Sequence, residues 1–165
     1  MKPALFVIDV QKEFYKSAAQ TVQSLNEAVE TINAAIALFR EKNLPIVCIQ
    51  HMDENDKLIP GEDGFELPDG LSILPSDIRI QKTYENAFNK THLLSKLHEL
   101  EVDTVIVSGF CAQYCVLSTY RGAEDLDLTP IILRSALASD APENIRFVES
   151  ISEIISFGAL KKLLE

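Results

Sequence analysis

A cysteine placed where a buried strand turns into a helix is the residue of this chain best suited to chemistry. Cys115 lies in Ser108-Gly109-Phe110-Cys111-Ala112-Gln113-Tyr114-Cys115-Val116, after the apolar run Thr104-Val105-Ile106-Val107 and near the start of a helix predicted over 113–124. A thiol there meets unpaired backbone N–H groups and the positive end of a helix dipole, and both favour thiolate over thiol. Two further strand ends carry groups that can serve it: Asp9 closes Ala4-Leu5-Phe6-Val7-Ile8, and Lys82 follows Ile78-Arg79-Ile80-Gln81. In an open parallel sheet the strand carboxyl ends gather along one edge, so residues remote in sequence meet there. A cysteine, a carboxylate and a lysine at one edge imply a covalent hydrolase. Each also has a bland alternative: Asp9 as a loop cap, Lys82 as a solvated surface lysine, Cys115 as a core thiol.

The elements that must position these residues alternate regularly. Strand 4–9 is followed by Val22, Leu25, Val29, Ile32, Ile36 and Phe39 at three- and four-residue steps, which predicts a helix over 20–42 with one buried stripe. Asn43-Leu44-Pro45 ends it and strand 46–50 follows. Residues 53–76, punctuated by glycine and proline, read as a long loop, either a functional lid or a plain surface excursion. Strand 78–81, a helix of 91–100, strand 103–108, helix 113–124, strand 129–133 and a helix from Asp140 to about 155 complete the pattern. The segment 157–164 reads either as an edge strand with a helical turn or as helix throughout. Repeated β-α units predict one α/β domain over 1–165, a three-layer α/β/α Rossmann-like fold with a mostly parallel sheet.

The chain of 165 residues is 47% hydrophobic and 24% charged, ordinary for a globular domain large enough to bury a core. Its formal charge of −10 argues against nucleic acid or an anionic membrane as partner. No apolar stretch approaches the roughly 20 residues of a membrane span, and Met1-Lys2-Pro3 runs straight into a strand without a leader. Three cysteines, Cys48, Cys111 and Cys115, make neither an even disulfide framework nor a C-x-x-C, so a reducing cytoplasm is the expected setting. Cys48, inside Ile46-Val47-Cys48-Ile49, reads as a buried core thiol.

Three segments together resemble the isochorismatase-like cysteine hydrolases. Ala4 to Phe14 is similar to that family's hydrophobic-Asp-x-Gln-x-x-Phe opening, and Lys82-Thr83-Tyr84-Glu85-Asn86-Ala87-Phe88 to its Lys-x-x-(Tyr/Phe)-x-x-Phe element. Gly109 to Val116 is similar to its Gly-x-x-Thr-x-x-Cys-Val signature, and the three occur in the family's order. The resemblance implies a catalytic triad of Asp9, Lys82 and Cys115, a sheet of order 3-2-1-4-5-6, and a cis peptide at Phe110–Cys111. It implies attack of the cysteine on a carboxamide-type carbon, departure of ammonia or an amine, and release of the acid by water.

The residue chemistry gives the same division of labour. Free cysteine titrates near ~8.5, and Lys82 with the helix dipole is expected to lower that value. Asp9 can accept the thiol proton and later protonate the leaving amine, while Lys82 keeps it ionised. Backbone N–H groups of Cys111 and Cys115 are the candidate oxyanion hole. Phe14, Phe110 and Tyr114 are candidate substrate contacts, forming an apolar slot for a small planar amide; Tyr84 and Phe88 also flank the triad.

Two departures from the signature bear on substrate contacts: Ala112 stands where threonine is common, and Gln113 where some members carry aspartate. Cys115 points away from isochorismate hydrolysis proper, whose enzymes lack the nucleophilic cysteine. Nicotinamidases of the family bind a metal through Asp-x-His after the second strand. Here that region reads Gln50-His51-Met52-Asp53, and the next histidine is His92 on another element, so no metal and no cofactor is expected. His51 reads as a pocket-wall or loop residue, His92 and His98 as solvated. Substrate choice is assigned to loop 53–76 and the aromatics. A homo-oligomer is expected, with apolar residues near 155–164 as an interface. The competing readings are a silent small-molecule-binding or scaffold protein of the same fold, and a redox protein using Cys111 with Cys115.

Overall fold

Alternation along the first strand explains the layering. In the computed structural model, which describes residues 1–165, β1 (Pro3–Ile8) is buried along its whole length. Ala4, Phe6 and Ile8 enter one hydrophobic cluster, while Leu5 and Val7 enter another on the opposite face. A strand buried on both faces needs helices above and below it, as a parallel sheet requires. The order is β3-β2-β1-β4-β5-β6, with β2 (Ile46–His51), β3 (Ile78–Lys82), β4 (Thr104–Gly109), β5 (Thr129–Leu137) and β6 (Ile154–Ile155), and every pairing is parallel. Pro3 pairs with Thr104 and Ile8 with Gly109, which brings the ends of β1 and β4 level.

One face is covered by α1 (Ala19–Glu41) and α5 (Phe157–Leu163), the other by α2 (Leu93–Glu99), α3 (Leu117–Asp125) and α4 (Glu143–Ser150). The predicted stripe of α1 is buried at Leu25, Ile32, Ile36 and Phe39.

Several boundaries differ from the sequence pattern. The helix expected over 113–124 opens instead with a π-helical turn, Ala112–Val116, and becomes α-helical only at Leu117. Helix α4 stops at Ser150 because Ile154–Ile155 leave it to form the edge strand, a choice that apolar periodicity alone does not make. The end of the chain is thus an edge strand followed by a helix. Within it Leu160 is fully buried under α1's face and Leu163 is exposed, so the expected apolar interface at 155–164 is only partly available.

The loop 53–76 is strapped down rather than hanging free. Phe65 and Leu71 are buried, Lys12 N–H donates to Glu66 O at 2.9 Å, and Asn33 Nδ2 donates to Gly70 O at 2.8 Å. No helix is long and apolar enough to cross a membrane.

Candidate active site

Three strand ends converge on one ammonium group. Asp9, one residue beyond β1, takes a left-handed backbone conformation (φ 51°) that aspartate tolerates better than most residues, and its N–H donates to Ile49 O at 2.9 Å. Lys82, the last residue of β3, has no exposed side-chain surface. Its Nζ donates to Asp9 Oδ2 at 2.9 Å and to Cys115 Sγ at 3.2 Å, and lies 3.0 Å from His51 Nδ1. An ammonium group has three protons, so all are engaged. The second oxygen of Asp9, Oδ1, is buried with no hydrogen-bond partner. The sequence-derived trio of Asp9, Lys82 and Cys115 is therefore one cluster, and His51 at the end of β2 is a fourth member.

The turn that carries the sulfur depends on Gly109. Its φ is +117°, and a Cβ there would overlap the backbone of Ile8, so glycine is the residue that lets β4 turn this close to β1. Phe110 N–H then donates to Ile8 O at 2.8 Å, and Ala112 N–H to Ala138 O at 2.9 Å. The Phe110–Cys111 peptide is cis. Cys111 N–H has no acceptor in the protein.

The electrostatics correct one expectation. Cys115 is not held as a ready thiolate: its thiol is pushed up to about 12, first by burial and then by the Asp9 charge, with Lys82 opposing. The ammonium is already paired with Asp9, so the sulfur sees an ion pair of little net charge and desolvation decides the outcome. His51 is shifted the other way, below the ordinary histidine value, by burial first and by the Lys82 charge second. Its Nδ1 faces the ammonium and must accept, which makes the ring the neutral tautomer with Nε2–H free to donate.

Behind the turn a second network fixes its far side. Ser139, fully buried two residues beyond β5, donates to Gln113 Oε1 (2.8 Å) or Ala141 O (2.9 Å) and accepts from Ala141 N–H (3.0 Å). Gln113 Nε2 donates to Asp140 Oδ1 at 2.6 Å, and the Cys111 thiol lies 3.2 Å from Gln113 Oε1. Cys111 faces this network while Cys115 faces Lys82, and both are free thiols, which gives no support to a redox pair. Cys48 is buried in the core, with its thiol pushed up to about 12 by burial.

A cavity of about 260 Å³ opens over the sulfur. Phe14, Phe110 and Tyr114 wall it as the sequence suggested, with the Phe14 and Phe110 rings tilted by 37° at 4.8 Å between centroids. Asp9, His51 and Cys115 form its polar part, and Cys111 and Glu85 complete the lining. Tyr84 and Phe88 are not in it, and neither is any residue of 53–76. The loop acts at one remove. Gln11, fully buried, donates from Nε2 to His51 O (3.0 Å) and Phe65 O (3.1 Å) and accepts His51 N–H on Oε1 (2.8 Å). Sequence reasoning quoted Gln11 in its motif without giving it this task, and it missed Ser139 and Glu85.

Asp9, His51 and Cys115 offer ligand atoms within 4.8 Å of one another. They do not fit a metal ion. Lys82 Nζ already sits among the three at 2.9–3.2 Å, using the lone pairs a cation would need and repelling its charge. Asp53 spends its Oδ1 on Asn55 N–H at 2.9 Å, and His92, just before α2, and His98 on it are exposed.

Comparison with known proteins agrees with this architecture. The isochorismatase domain family model matches residues 3–149, and the chain belongs to that family. It is 28% identical over 140 residues to YrdC, an uncharacterized isochorismatase family protein of Bacillus subtilis, covering 84% of this chain and 74% of that one. It is 25% identical over 175 residues to the ureidoacrylate amidohydrolase RutB of Cronobacter sakazakii, covering 84% and 75%. Among solved structures, N-carbamoylsarcosine amidase from Thermoplasma acidophilum superposes with a TM-score of 0.81 at 25% identity, over 94% of this chain and 96% of that one.

Proposed function

We propose that this isochorismatase-family hydrolase is a metal-independent cysteine amidohydrolase, cleaving the carboxamide-type C–N bond of a small molecule through a thioester on Cys115. The observation that carries the reading is the single ammonium of Lys82, 2.9 Å from a carboxylate and 3.2 Å from a thiol, with the other carboxylate oxygen unpartnered. Relatives named as a ureidoacrylate amidohydrolase and an N-carbamoylsarcosine amidase lend support, since both names describe C–N hydrolysis.

The cycle follows from the protonation states. Cys115 rests as a thiol, so its proton moves to Asp9 Oδ1 as sulfur attacks the carbonyl carbon. Lys82 keeps its proton and stabilises the departing thiolate character. The oxyanion is received by the N–H groups of Cys111, which has no other acceptor, and Cys115; one such donor is typically worth ~2.7–4 kcal/mol. Collapse breaks the C–N bond, and the amine leaves with the proton held by Asp9. Water, deprotonated by the freed carboxylate, then attacks the thioester, and the Cys115 sulfur leaves to be reprotonated.

The test is intact-mass spectrometry of protein quenched within milliseconds of mixing with small aromatic and aliphatic amides. An acyl mass on the Cys115 peptide, absent in Cys115→Ala, is the expected result. Turnover that survives Cys115→Ala would refute the nucleophile. A protein that binds amides without adduct or turnover would be the silent scaffold instead.

A further inference from the structure

Resting on that reading, we infer that the substrate carries a neutral or cationic hydrogen-bond donor group at the end remote from the scissile amide, and that Glu85 selects it while excluding carboxylates. Eight residues line the cavity over Cys115, and none is lysine or arginine. Lys82 lies beneath the site with no exposed side-chain surface and all three protons engaged, so it has nothing to offer a substrate anion. The Asp9–Lys82 pair sums to zero, and His51 is neutral because burial and the Lys82 charge disfavour its cation. Glu85 is then the only unneutralised charge on the wall, and its field reaches the His51 ring. An anionic substrate would meet a like charge across a small, largely aromatic space with no counter-ion, whereas an ammonium or N–H donor meets a carboxylate.

Glu85 is set in place by the fold. It follows β3 three residues beyond Lys82, its carbonyl accepts from Thr119 Oγ1 at 3.3 Å, and the same hydroxyl accepts Ala87 N–H at 3.1 Å. Thr119 is fully buried in α3, and a Cβ at Gly122 one turn on would overlap the Asn86 side chain. The carboxylate thus stands on a short segment clamped to the helix that follows the nucleophile. Glu85 is exposed and Cys115 half-buried, so the carboxylate lies on the solvent side of the cavity, where a donor group would sit while the scissile carbon is at the sulfur.

Three matched probes test this: 4-(aminomethyl)benzamide, benzamide and 4-carboxybenzamide, compared by kcat/KM on wild type and Glu85→Gln. Wild type should rank them cation above neutral above anion. The cation-to-anion ratio should fall roughly fivefold or more in Glu85→Gln, the scale of one partly solvated charge pair at each end, and Glu85→Lys should invert it. A ratio unchanged by Glu85→Gln, or an anion preferred by wild type, would overturn the inference while turnover itself upholds hydrolysis. If no probe is turned over yet binding to Cys115→Ala, followed by ligand-observed NMR, keeps the charge ranking, the hydrolytic reading falls and the charge rule stands. Binding without any ranking overturns the rule.

Discussion

Replacing Lys82 by methionine keeps the length of the stem and removes the charge, and it separates what this residue does for folding from what it does for chemistry. At 2.9 Å and an effective dielectric of about 20, its attraction to Asp9 is about 6 kcal/mol, set against the desolvation of both groups. In Lys82→Met the Asp9 side chain, 2% exposed, is left without a cation. It stays buried only by taking up a proton, and for an ordinary aspartate near ~3.9 that costs about 4 kcal/mol at pH 7. The folded variant then holds a proton that the unfolded chain does not, so its penalty shrinks by about 1.4 kcal/mol for each unit that pH falls toward 4. Asp9→Asn does the reverse. The stranded lysine must lose a proton that the unfolded chain keeps, costing about 4–5 kcal/mol at pH 7 and less as pH rises. The double variant strands no charge and should cost far less than the two together. Urea titrations at pH 5, 6, 7 and 8, compared through midpoints at constant m, read all four proteins. His51 stands within 4.8 Å of Asp9 and can supply a substitute cation, so the same set in a His51→Gln background gives the full figure. Single variants with flat, equal pH dependence, or costs that add in the double, would refute a buried charge pair at this site. Activity should vanish in all three.

Three further outcomes follow from the same geometry. The Cys115 thiol, pushed up to about 12, keeps its proton when the unfolded chain loses it, so the stability it contributes is complete below ~8.5 and drains away as pH rises toward 12. Thermal melts from pH 8 to 11 should therefore fall less steeply in Cys115→Ala than in wild type, and iodoacetamide should find no fast thiol at pH 7. His51 is depressed, so the ring stays neutral to below its ordinary ~6.5 and both stability and kcat/KM decline as pH falls through that lower value; His51→Gln should remove this acid limb from the rate profile. Ser139→Ala leaves Ala141 N–H without its acceptor and takes from Gln113 Oε1 one of its two donors, which should cost about 1–3 kcal/mol in urea and lower kcat more than it raises KM.

The trio was legible because two simple rules act together. Continuous apolar runs such as Leu5–Ile8 and Val105–Val107 mark strands buried on both faces, and parallel strands end on one edge. Asp9 and the turn that carries Cys115 follow such runs, and Lys82 ends the alternating edge strand Ile78–Lys82, so their meeting needed no side-chain detail. The same rule reaches His51, which ends β2 beside Lys82 in the pairing register, but its partner was invisible because sequence does not say where an ammonium points. Ser139 and Asp140 were hidden for another reason: β5 runs four residues beyond its apolar stretch, past a register shift opposite Val107 and Gly109, and that irregularity is what delivers them to the turn. The π-helical opening at Ala112–Val116 was equally out of reach, since one extra residue in a turn leaves helical periodicity almost unchanged.

The protonation of Cys115 shows where strand-end reasoning stops. A thiol at a strand-to-helix turn beside a lysine is expected to ionise, yet the lysine arrives with a carboxylate 2.9 Å away. A sulfur facing a lone ammonium gains a full unit of opposite charge; facing an ion pair it meets two nearby and opposing charges, of which the Asp9 carboxylate weighs more than the Lys82 ammonium. Nothing is then left to offset the cost of holding an anion out of water, so burial prevails and the proton stays. The consequence is kinetic. The nucleophile is made only when a carbonyl carbon is in place to receive the electrons, with Asp9 Oδ1 waiting for the proton and Lys82 already oriented. A site built this way keeps its sulfur unreactive toward solvent-borne electrophiles between turnovers. A fast alkylation of Cys115 at neutral pH, in protein free of substrate, would mean that the ammonium acts on the sulfur alone and that this account of the charge balance is wrong.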